Sequence, residues 1–272
     1  MRRARGAALL LVMWVVLLLS GLVAGYAMSS RIESLQGNGV GRGLVAAEAA
    51  RAGVELAAAR MLEGDPARRW AADGRGFRIE FDGIPVEVSV RDETARIDLN
   101  QADLELLTRL FVVLGEPREA ATRVAAAIVD WRDPDSLLQP AGGAEDDRYR
   151  AAGLAWGAKD APFETVAEVE QVLGMRPALY AAAAPHLTVH GGRAQPDARF
   201  ADDVVLAAME MNRPGAIDPD AAPPPGSGTY SIDARARLPD GRRAQLSVVL
   251  RMGGSGLPGS TYTALQWQAG PP

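Results

Sequence analysis

Cysteine is absent from the 272 residues, which removes disulfides, thiol nucleophiles and thiolate metal sites together and leaves the redox compartment open. Histidine occurs only at 186 and 190, and Leu187, Thr188 and Val189 between them read as strand. With no third imidazole and no acid nearby in the chain, the pair makes no zinc set, and both rings are expected on the surface. A Gly-x-Ser-x-Gly elbow, a phosphate loop and a dinucleotide fingerprint are also missing, and the glycine-rich stretch 253–260 has neither the lysine nor the strand-to-helix setting of a phosphate site. Outside its first six residues the chain has no basic block, and its net charge of -5 gives no electrostatic footprint for nucleic acid. There is no internal repeat. Hydrophobic residues, at 48%, are plentiful enough for a real core in one or two domains.

What the chain does contain begins at residue 7. From Ala7 to Met28 it runs uncharged for 22 positions behind the basic leader MRRARG. As a helix this run is about 33 Å long, enough for a bilayer core of about 30 Å. Arg2, Arg3 and Arg5 precede it and only Arg31 follows closely, so the positive-inside bias places the N-terminus in the cytoplasm and the bulk of the chain across the membrane. Two processing readings stand. Ala24-Gly25-Tyr26-Ala27 offers a loose secretory site, though 22 apolar residues exceed the usual signal length. The junction of Gly6 and Ala7 instead sets a small residue between charge and apolar helix, as in prepilin-class signals, where the cut leaves the helix on the product.

Helix is expected to continue through Leu44–Leu62, rich in Ala and Leu, with Glu48, Arg51 and Glu55 spaced to pair. Gly37, Gly39, Gly41 and Gly43 predict a kink or loosening before it, and Gly64-Asp65-Pro66 its end. Phe77, Ile79 and Phe81, then Asp82-Gly83, then Val86, Val88 and Val90 read as a β-hairpin with one buried face. Helical patterns follow at 101–114, 118–131, 165–173 and 177–184, with Asp98 or Asn100 capping the first and a Thr165/Glu168 capping box starting the third. A helix is expected over 202–211 and a loop over 219–227. Strands resume around Tyr230, Ile232 and Ala234, then over 245–251, with a third at 261–268. The sheet is thus assembled from both ends of the chain around a helical insertion.

One constellation carries chemistry. Asp130, Asp133 and Asp135 stand within six residues, and Glu145, Asp146 and Asp147 follow a glycine-containing stretch, with only Arg132 among them. Carboxylates this close repel unless a cation neutralises them, and hard oxygen donors suit calcium. The spacing is not that of an EF-hand, and a solvated acidic loop is the competing reading. Trp131 and Trp156 nearby are expected to be core anchors.

The leader and apolar helix, followed by ARIDLNQADLELLTRL, AAAIVDWRDPD, GAEDDRYR and KDAPFETVAEVEQVLGM, resemble the K-type minor pseudopilin family of the bacterial type II secretion system over roughly residues 1–190. Where that family commonly shows an Asn-x-Asn-x-Ala run, residues 193–209 have none. The resemblance implies an α+β fold: a long N-terminal transmembrane helix packed on a small antiparallel pilin-like sheet, with a large inserted all-α domain of SAM-like or helix-hairpin-helix-like kind. The divisions it implies are a leader at 1–6, a transmembrane segment at 7–28, the periplasmic part of the helix at 29–63, and sheet at 76–96. The helical domain follows at 97–190, a helix and Pro-rich linker at 191–228, and the remaining sheet at 229–272. Cleavage after Gly6 and N-methylation of Ala7 are implied, and Leu11 then occupies mature position five, where most pilins carry glutamate.

A subunit without that glutamate makes no charge pair with a helix below it, so the resemblance implies a non-enzymatic protein at the pseudopilus tip that starts assembly for the export of folded proteins. It implies calcium at the acidic loop, with Asp133, Asp135 and Asp146 foremost. The implied partners are the I-, J- and H-type minor pseudopilins, the major pseudopilin, prepilin peptidase and the inner-membrane assembly platform, with no nucleic acid. The site is the inner membrane, the C-terminal domain being periplasmic. Two alternatives remain at this stage: a membrane-tethered helix-hairpin-helix DNA-binding protein, and a membrane-anchored hydrolase using the carboxylates with a divalent ion. The exposed apolar face of Leu44–Leu62 is the expected partner surface, with packing on the chain's own sheet as the rival.

Overall fold

The computed structural model describes residues 4–212, 223–253 and 261–270, leaving out the side chains of 4–8, 25 and 27–40. Helix α1, Ala4–Met61, is continuous, 58 residues and about 87 Å long. Helix is assigned without a break through Gly37–Gly43, so the kink or loosening expected there does not interrupt it; propagation along an established helix offsets the cost of isolated glycines. Within the described side chains the apolar run is Leu9–Ala24, exposed all round, and among the described residues no helix is long and apolar enough to cross a membrane. The span expected at 7–28 lies partly outside those residues. The loop expected over 219–227 likewise falls partly outside them.

The C-terminal part of α1, from Ala46 to Met61, lies on a five-stranded antiparallel sheet. Strands β1 (Asp73–Phe81) and β2 (Ile84–Asp92) form the expected hairpin, Phe81 facing Ile84 across Asp82-Gly83, both with positive φ. Strands β5 (Thr229–Arg237), β6 (Arg243–Met252) and β7 (Tyr262–Ala269) complete the order β1-β2-β5-β6-β7. The two ends of the chain therefore meet where β2 pairs with β5, Val88 opposite Ala234. Val86, Val88, Val90, Ile232, Ala234, Val248 and Leu250 bury their side chains against Ala46, Ala49, Ala50, Val54, Ala57 and Ala58 of α1. Small residues let the helix sit close, closest at Gly53, where a Cβ would come within 2.9 Å of Val88. Of the two readings of Leu44–Leu62, packing on the sheet is thus realised, while Leu44, Val45 and Leu62 stay exposed.

Between β2 and β5 lies the helical domain. Its two ends are clasped by a parallel pair, β3 (Ile97–Asp98) with β4 (Leu187–Thr188). Inside are α2 (Leu104–Val113), α3 (Arg118–Arg132), α4 (Asp146–Ala151) and α5 (Pro177–Ala183), and α6 (Asp203–Ala208) packs on α2 from beyond the clasp. The α2 cap is Asp103, accepting the Leu106 N–H at 2.8 Å, rather than Asp98 or Asn100. Those two are taken up by tertiary bonds: Asp98 accepts from Gly192, and the Asn100 amide exchanges hydrogen bonds with the Phe163 backbone. Residues 166–171 form a 3-10 turn where an α-helix was expected, with Glu168 reaching back to the Thr165 N–H at 2.8 Å. The domain's core of Leu106, Leu107, Leu110, Phe111, Ile128 and Trp131 shares no residue with the core under the sheet.

One carboxylate helps tie the two parts. Asp202 caps α6 through the Val205 N–H, meets Arg91 of β2 at 3.2 Å and lies 2.8 Å from Nδ1 of His186. So His186 is not a surface ring, being 15% exposed and paired. Burial alone would push Asp202 up, but His186, the Val205 N–H and Arg91 outweigh it and hold the carboxyl at about 2. A pKa depressed in the folded state contributes stability above the unfolded value near 4, and that contribution disappears as pH falls toward 2. Asp202→Asn is accordingly expected to cost about 1–2 kcal/mol at pH 7, with the gap to wild type closing between pH 4 and pH 2 in urea unfolding.

Candidate functional site

The acidic residues gather where α3 ends and α4 begins. Asp130, on the last turn of α3, is wholly buried, and its Oδ1 accepts the Gln139 N–H at 3.1 Å as the loop folds back. Gly143 passes so near that a Cβ there would overlap Asp130 Oδ2, and Gly157 leaves room for Asp146 in the same way. Asp133 caps the C-terminus of α3, and Glu145 precedes the first turn of α4. Glu145 is only 8% exposed, and its Oε1, like Oδ1 of Asp133, is buried with no hydrogen-bond partner among the described residues. Leaving such an acceptor unmatched costs about 1–3 kcal/mol, more if charged.

The electrostatics agree. Burial pushes Asp130 up to about 6, with Asp133 and Asp135 adding repulsion. Glu145 is driven to about 7 by burial first, then by Asp130, Asp160, Asp133 and Asp135. Asp133 is raised by burial and by Asp135. Arg132 attracts only Asp133 of this set and forms no ion pair with it, because its guanidinium turns toward the start of the domain, donating to the carbonyls of Leu99 and Ala102.

Of the six carboxylates singled out in the sequence, Asp130, Asp133, Asp135 and Glu145 therefore repel one another. Asp146 is exposed beside Gly157, and Asp147 is turned to solvent, paired with Arg150. Asp160, which the sequence reading passed over, repels the same cluster from the loop after α4, with φ at 54°. Its proximity is tertiary, so spacing gave no signal. Trp131 is a core anchor tilted against Tyr149 and stacked on Phe163, whereas Trp156 is exposed and donates to the Gln171 carbonyl. As placed, no three acidic or histidine side chains among the described residues stand close enough to hold an ion. Two orphaned buried oxygens within a mutually repelling set nonetheless suit a hard cation, which would neutralise charge and satisfy both acceptors. The Tyr149 hydroxyl, which accepts the Leu173 N–H at 3.1 Å, is pushed up to about 12 by burial first and then by Asp130 and Glu145.

A long helix on an antiparallel sheet, with a helical domain spliced between the second strand and the third of that sheet, defines an α+β fold carrying a helical insertion. The family model for protein K of the type II secretion system matches residues 88–192, from mid-β2 past the clasp that closes the helical domain. Type II secretion system protein K of Klebsiella pneumoniae is 29% identical over 209 residues, 68% of this chain. The chain spans 62% of that relative's length. The fold is also that of a chain in the crystal structure of the GspK-GspI-GspJ complex from the enterotoxigenic Escherichia coli type 2 secretion system: TM-score 0.64, 18% identity, covering 89% of this chain and all of that one. The chain is thus similar to protein K of the type II secretion system, in sequence most specifically over residues 88–192 and in fold along most of its length.

Proposed function

We propose that this protein is a non-enzymatic minor pseudopilin that caps the pseudopilus of a type II secretion system. The observation that carries the proposal is the pairing of β2 with β5 across a helical domain that occupies the intervening chain: a pilin-like core made bulky at one end suits a subunit with nothing stacked beyond it. Leu11 extends the reading. It is 66% exposed on an apolar helix, and without a glutamate there the helix makes no downward charge pair in a low-dielectric membrane. Cleavage between Gly6 and Ala7, N-methylation of Ala7 and a single inner-membrane span through 7–28, with the remainder periplasmic, belong to the same proposal.

The partners proposed are the I-type and J-type minor pseudopilins, by analogy with the complex whose fold this chain shares, and then the H-type and major pseudopilins and the assembly platform. Co-expression tests this directly. The chain should co-purify with I- and J-type subunits as one species, and recovery of each protein alone at micromolar concentration would contradict the proposal.

Calcium is proposed at the acidic site. Asp133 and Glu145 would supply the orphaned oxygens, with Asp130, Asp135 and Asp160 adding charge and Asp146 and Asp147 at the rim. The ion's part is structural: it neutralises the cluster and pins the 133–145 loop between α3 and α4.

A further inference from the structure

On the far side of that loop is a cavity of about 310 Å³ between α3, Gly142–Ala144, the first turn of α4 and the corner after Leu173. Val124, Ala127 and Leu173 form apolar walls. Three guanidinium groups, from Arg123, Arg148 and Arg176, stand around them in a chain whose net charge is -5. Glu116, also on the lining and with a side chain only 14% exposed, is ion-paired to Arg176. Arg123 pairs with Glu119 at 3.2 Å, a residue off the cavity lining. Arg148 has no hydrogen-bond or ion-pair partner among the described residues, so the cavity carries more positive than negative charge.

These features define a ligand class. Guanidinium forks match planar carboxylates with two parallel hydrogen bonds, and apolar walls strengthen such pairs by lowering the local dielectric. The cavity already holds one carboxylate on one arginine, leaving another arginine unspent. Its volume is at the lower end for ligand pockets, about 300–1,000 Å³, and admits a body the size of one or two residues. We propose that this cavity binds a carboxylate borne on a short apolar group, presented by a peptide as its C-terminus or as an acidic side chain beside an apolar one.

The test titrates the full chain in detergent, in calcium-containing buffer so that the Gly142–Ala144 wall is in place, and reads binding by calorimetry. N-acetyl-leucine offers a terminal carboxylate, N-acetyl-aspartyl-leucinamide an acidic side chain without a terminus, N-acetyl-leucinamide the apolar body uncharged, and inorganic phosphate the charge alone. At least one carboxylate probe should bind tenfold or more tighter than the leucinamide and than phosphate, and whichever binds better identifies the source. Arg148→Ala, an exposed position whose fold circular dichroism can verify, should weaken that probe about tenfold, while Arg150→Ala on the same helix leaves it unchanged. Ala120→Trp, which fills the cavity, should abolish it. Equal affinity for leucinamide, tighter binding of phosphate, an unaffected Arg148→Ala, or no carboxylate binding at tens of millimolar would each overturn the proposal. None of these outcomes depends on whether the chain assembles with other pseudopilins.

Discussion

Calcium at about a hundred times its dissociation constant is expected to raise the thermal midpoint of the wild-type chain by roughly 5–10 °C, and to leave a chain carrying Asp133→Asn with Glu145→Gln within about 1 °C of its metal-free value. The reason is the pair of buried oxygens without partners and the repulsion that surrounds them. In chelator the order should reverse. Burial drives Glu145 to about 7, so at pH 8 the folded wild type must ionise a carboxylate that its surroundings disfavour, and the glutamine variant escapes that cost. The double variant is therefore expected to be at least as stable as wild type without metal and clearly less stable with it. Magnesium, which holds its waters more tightly and demands octahedral geometry, should shift the wild type much less. Equal calcium responses in wild type and variant would remove the metal from the account.

Phe111→Ala is expected to cost about 3–5 kcal/mol, and to cost it locally. Phe111 is fully buried on α2 among the residues that α2 and α3 press together, and nothing in that cluster belongs to the core beneath the sheet. Hydrogen exchange should report lost protection through α2 and α3 while the amides of β5 and β6 retain theirs. Uniform loss through both parts would show that the insertion and the sheet unfold as one unit, and the clasp of β3 on β4 with the Asp202 tie would then be the elements coupling them.

Much of this architecture is written locally in the chain. The Asp82-Gly83 turn between alternating valines and phenylalanines fixes the hairpin, and Ile232, Val248 and Leu250 mark the returning strands by the same period of two. The boundaries that local reading misplaced are those decided by partners far away in sequence. Asp98, Asn100 and Asp103 are all competent caps, and only the engagement of the first two with Gly192 and Phe163 leaves the third for α2. Helix α4 is six residues with no apolar period to announce it. In the site, the clustering of Asp130, Asp133, Asp135 and Glu145 was legible because they are neighbours in the chain. Asp160, and the pairing of His186 with Asp202, were hidden because folding alone brings them together. The turning of Asp147 toward Arg150 is an i,i+3 pairing on α4, invisible until that helix is known.

The central claim, that the chain is a processed pseudopilin, is tested most directly by the mass of its mature N-terminus, measured from membranes with and without prepilin peptidase. A start at N-methylated Ala7 that appears only with the peptidase is the predicted result. A start near residue 28, or an intact Met1 under both conditions, would contradict it.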